Sequence, residues 1–146
     1  MGLDMYLQAE RYVSHYFDEA DGERAAKIKE IFPEFTNAEI KTIRAEVAYW
    51  RKANAIHAWF VANCQGGVDE CQDTGVAREQ LEELRQLCLE VLDTKDASKL
   101  PPQAGFFFGS TEVNDWYYED LRNTVEQLNK VLAMPDNLEF YYRSSW

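Results

Sequence analysis

Two polar residues, Asn54 and His57, interrupt a row of apolar ones. Ile40, Ile43, Val47, Trp50, Asn54, His57 and Val61 follow one another at alternating steps of four and three, which would set them on one stripe of a helix. A buried amide or imidazole without hydrogen-bond partners costs about 1–3 kcal/mol. Those partners come either from a ligand or ordered water in a pocket, or from the protein itself: backbone, or a carboxylate such as Asp4. His57 also has the chemistry of a general acid or base, but the sequence places no nucleophile beside it.

Cations and aromatic rings surround the pair. Arg44, Arg51 and Lys52 share the stretch with Tyr49, Trp50 and Trp59. A ring can stack a base while neighbouring cations hold its phosphates; alternatively the rings are core and the cations are solvated or paired, for example with Glu46. Gly109-Ser110-Thr111 precedes a predicted helix and offers N–H and hydroxyl groups to an anion. Glu112 and Asp115 put carboxylates in the same turn, which suits a plain N-cap. Near the C-terminus Arg143 lies among Tyr141, Tyr142 and Trp146, residue types enriched at interaction hot spots. The candidate ligand-binding set is therefore Trp50, Arg51, Asn54, His57, Ser110, Thr111 and Arg143. The sequence carries no Ser/His/Asp set, glycine-rich dinucleotide turn, Walker-type loop or acidic metal cluster, so binding is expected in place of catalysis.

Composition narrows the partner. The formal net charge is −11, from 15 basic and 26 acidic residues. That is the opposite of a nucleic-acid binder's basic footprint, and fits either solubility or imitation of a polyanion. Three cysteines, an odd number, with no leader-like segment imply a reducing, cytoplasmic setting. His57, Cys64 and Cys71 are spaced by sevens, but no Cys-x-x-Cys accompanies them, so neither a metal nor a cofactor is expected. No apolar run approaches membrane-spanning length.

The elements that must position these residues read as a single α+β domain over residues 1–146. Leu3, Met5, Leu7 and Ala9 alternate with polar residues, predicting a strand with one buried face. Ala25, Ile28, Ile31 and Phe32 predict a short helix ended by Pro33. Thr36 and Glu39 form a capping pair, and no Pro or Gly follows until Gly66, predicting a long central helix over residues 36–63. Residues 64–75 read as a loop or short hairpin. Leu81, Leu84, Cys88 and Val91 predict a third helix; Val113, Tyr117, Leu121, Thr124, Leu128 and Val131 a fourth. Phe106, Phe107 and Phe108 read as a strand, as does the aromatic segment at the end. About four helices thus surround the long central one, and a small antiparallel sheet joins the two terminal strands to residues 106–108.

The segments MGLDMYL, EVAYWRKANAIHAWFV, GFFFGSTEVNDWYYEDL and FYYRSSW resemble a family of small acidic proteins encoded by bacteriophages and prophages. The resemblance implies an accessory protein acting in the cytoplasm of an infected bacterium. Such proteins counter host defence by sequestering a nucleotide signal or by blocking a defence complex. The leading expectation is a non-enzymatic protein that binds a nucleotide-like small molecule. The alternative is an inhibitor whose carboxylates, among them Glu79, Glu82, Glu83 and Asp93, imitate nucleic acid toward a defence protein. A small enzyme using His57 is a third. Direct nucleic-acid and membrane binding are not expected, and a homodimer through edge pairing of the terminal strand is compatible with all three.

Overall fold

The structure, a computed structural model, describes residues 2–146. The N-terminal alternation forms strand β1 (Asp4–Tyr12), with Leu3, Met5, Leu7 and Ala9 buried. The closing segment is strand β4 (Glu139–Ser145), which pairs antiparallel with β1 so that Leu7 faces Tyr142. Phe140, Tyr142 and Ser144 point inward from β4.

The long central helix does not form. Residues 36–63 instead hold strand β2 (Thr42–Arg51), a sharp turn and helix α2 (Asn54–Cys64). Two local features explain the difference. The register of β2 against β1 shifts between Ala48 and Glu46, leaving Val47 as an extra bulged residue. The bulge changes strand parity, so Ile43 and Trp50, seven residues apart, share a face as they would on a helix. The strand then stops at Lys52, whose φ of 56° is left-handed without a glycine to announce it. The Thr36 hydroxyl donates to the Pro33 carbonyl and starts no helix.

Phe106, Phe107 and Phe108 form a turn, not a strand. Phe106 is exposed and Phe108 buried, a disposition that strand alternation would forbid. The remaining strand is β3 (Thr74–Val76), from the predicted loop, where Val76 pairs with Phe140. The antiparallel sheet therefore has the order β2-β1-β4-β3. β4 lies between β1 and β3, with β3 covering only its residues 140–142, and the longer free edge belongs to β2.

Helix α3 (Arg78–Thr94) packs along helix α4 (Asp115–Leu132) through their predicted stripes, except that Val113 lies before α4 and is exposed. With α2 they cover one face of the sheet, completing the two-layer α+β fold. Trp50, Phe60 and Tyr142 meet at the centre, with Phe60 stacked on Tyr142 at 3.9 Å. Helix α1 (Asp21–Ile31) stands aside. It is tied to the end of β1 by Asp21, which receives bonds from Arg11, Arg24 and the Ser14 N–H.

Candidate functional site

The turn between β2 and α2 builds one wall of a cavity. Arg51 ends the strand, Lys52 reverses the chain, and the Asn54 N–H closes onto the Lys52 carbonyl at 2.9 Å. No side chain caps α2, so its first turn presents backbone N–H groups and the positive end of the helix dipole. The opposite wall is the loop before α4 and the helix's first two turns. Gly109 (φ 86°) allows that loop to fold against the Lys52 stem. Gly105 is required for another reason: a Cβ there would overlap the Phe108 ring.

Asn54 joins the walls. Its amide nitrogen donates to the carbonyls of Phe108 (3.0 Å) and Ser110 (2.9 Å), and its oxygen accepts the Gln103 N–H (2.9 Å). The buried amide is thus satisfied by backbone, the structural alternative for this residue. By clamping residues 103–110 to the start of α2 it also shapes the cavity.

The cavity measures about 320 Å³. Arg51, Lys52, Asn54, Ser110, Trp116 and Asp120 line it. Trp116 is 80% exposed, with its indole on the otherwise polar side of α4. The Asp120 carboxyl is pushed up to about 6 by burial, assisted by the charge of Glu119. Near neutral pH the walls carry two cationic side chains and a helix start against Asp120 and Glu112.

His57 lines a second cavity, of about 340 Å³, farther along α2. Its Nδ1 accepts the Tyr142 hydroxyl at 2.6 Å, and its Nε2–H donates to Asp69 at 2.8 Å. Burial, then the nearby Asp69 charge, raises the Tyr142 phenol well above its usual range, so it keeps its proton; the Asp69 carboxylate holds the imidazole proton on Nε2, which leaves Nδ1 as the acceptor. The Trp146 indole N–H completes the chain on the other Asp69 oxygen at 3.0 Å. Both imidazole nitrogens are committed, and the carboxylate partner is Asp69 instead of Asp4. Asp4 lies on the outer sheet face beside Tyr49 and Arg51.

Arg51, Asn54 and Ser110 therefore come together, while the other candidates are elsewhere. Trp50 is 2% exposed and its indole N–H is spent on Thr124 at 2.9 Å, so it is core and presents no face to a ligand. Thr111 is exposed beyond the cavity lining. Arg143 is on the outer sheet face, over the Tyr6 ring at 5.7 Å. Sequence reasoning missed Trp116, Asp120 and Asp69. Trp116 was detectable: it falls outside the buried stripe through Tyr117, and so is a large ring on a polar face.

Among the described residues no group of three or more His, Cys, Asp or Glu side chains is arranged to hold a metal, and no helix is long and apolar enough to cross a membrane. No protein-family model, curated protein or solved structure matches this chain.

Proposed function

We propose that this chain is a non-enzymatic binding protein for a small nucleotide-like anion, held between the start of α2 and the head of α4. The observation that carries the reading is a cavity that joins Arg51, Lys52 and an uncapped helix start to an exposed tryptophan. Phosphate oxygens meet the cations and the α2 N–H groups. A base stacks on Trp116. Asp120 accepts N–H groups from the base edge, and Ser110 adds a hydroxyl. Asn54 supports the site without contributing a free hydrogen bond, and His57 and Arg143 take no part.

The resemblance to phage and prophage proteins supplies a setting, sequestration of a host nucleotide signal. Native mass spectrometry of protein taken from its producing cell and from infected host, followed by denaturation, tests this. A stoichiometric released nucleotide supports the reading; protein that stays bare in both, and on incubation with nucleotides, defeats it.

One observation favours a second reading, an acidic inhibitor of a defence protein. Glu79, Glu82, Glu83 and Asp93 are all exposed and fall within one stripe of α3. A basic partner would bind that stripe with steep salt dependence. Salt-insensitive capture, or capture unchanged by Glu82→Lys with Glu83→Lys, counts against it.

A further inference from the structure

The edge strand β2 is left open over half its length. At its inner end Gln127 closes the edge: its side chain accepts the Tyr49 N–H at 2.8 Å and donates to the Tyr49 carbonyl at 2.9 Å, taking the place of a neighbouring strand. Among the described residues nothing equivalent covers residues 42–46, which are exposed on both faces. An open edge with apolar side chains invites another strand. The same end of the molecule exposes Ile31, Phe32, Phe35, Ile43, Tyr16 and Phe17, an apolar set of the kind that marks an interaction surface.

The charges along the edge indicate which strand fits. Arg44 and Glu46 lie on the outer sheet face; Arg44 is held by Glu10 at 2.9 Å and Asp73 at 2.8 Å on its own chain, and Glu46 is exposed and in no ion pair among the described residues. In an antiparallel pairing about a two-fold axis through Ala45, Arg44 lies opposite the partner's Glu46, and Ile43 opposite the partner's Val47. Centring the axis on Arg44 would set two guanidinium groups against each other. The Ala45 register is self-complementary in charge and brings only alanine to the axis. It also uses the span that ends before the Gln127 clasp.

We infer that two copies of this chain associate through β2, pairing antiparallel about Ala45 to join two four-stranded sheets into one, with the apolar residues at the β1–β2 end covered across the interface. The inference does not depend on the ligand proposed above.

Two single variants test it. Glu46→Arg leaves only cations at the pairing positions and Arg44→Glu only carboxylates, so each on its own should raise the dimer dissociation constant about tenfold or more. Mixed together they restore opposite charges and should form a heterodimer, read by sedimentation equilibrium with one variant labelled. Circular dichroism confirms that each is folded. Amide exchange in the unaltered chain should show protection of residues 43–47 that rises with protein concentration. A monomer at every concentration overturns the inference. So does a dimer indifferent to Glu46→Arg, or a pair of weakened variants that fail to combine.

Discussion

The Asn54 amide nitrogen lies 2.9 Å from the Ser110 carbonyl and 3.0 Å from that of Phe108, so one side chain fixes the distance between the start of α2 and the loop facing it. Replacing it with alanine leaves two carbonyls and the Gln103 N–H without their partner. Asn54→Ala should lose about 1–3 kcal/mol in chemical denaturation, and its amide exchange should quicken in residues 103–110. Unchanged stability would mean that the clamp is dispensable.

The Tyr142–His57–Asp69 chain predicts a tautomer. Nitrogen NMR of the imidazole should show the proton on Nε2 and an unprotonated, hydrogen-bonded Nδ1. Tyr142→Phe keeps the stack on Phe60 but orphans the Nδ1 acceptor, at a cost of about 1–3 kcal/mol. A proton found on Nδ1 would reverse the assigned direction of the bond to Tyr142.

Asp120 makes stability fall with rising pH. The unfolded carboxyl loses its proton near 3.8, whereas in the fold it keeps it up to about 6. Its favourable contribution is complete below 3.8 and is lost as pH rises through 6. Asp120→Asn should therefore match the unaltered protein at pH 4 and exceed it by about 1–2 kcal/mol at pH 7. Equal curves at both values would contradict this.

Asp21 has the opposite sign. Its bond from Arg24, with those from the Ser14 N–H and Arg11, holds the carboxyl down to about 2. The stabilisation it provides is present above 3.8 and disappears as pH falls through 2. Acidification over that window should release α1 before the sheet, seen as early exchange in residues 21–31, and Asp21→Asn should show that release already at pH 7.

Parts of this architecture were legible because burial and periodicity agreed. Leu3 to Ala9 read as a one-faced strand, and the stripes through Leu84 and Leu121 read as helices, because each residue's position in the repeat matches the side it buries. The helix drawn through Trp50 failed because the Val47 bulge makes a strand imitate helical spacing and Lys52 breaks the chain without Gly or Pro. Arg51 and Asn54 line one cavity because they are neighbours at the β2–α2 turn, and Ser110 joins them through its carbonyl, which accepts the Asn54 amide. Trp50 was misassigned because pairing with Met5 carries its ring into the core, a tertiary fact with no local signal. Asp69 was invisible as the His57 partner for the same reason: it comes from a loop between α2 and β3.

We propose that a nucleotide-like anion binds between Lys52 and Trp116. Titration of the protein with mono-, di- and cyclic dinucleotides, followed by tryptophan fluorescence and calorimetry, tests it most directly. One-site saturation is expected, with quenching that vanishes in Trp116→Ala and affinity reduced about tenfold or more by Lys52→Glu, while Trp59→Phe and Arg143→Ala bind normally. No saturable binding of any nucleotide, or binding unmoved by both cavity variants, would contradict it.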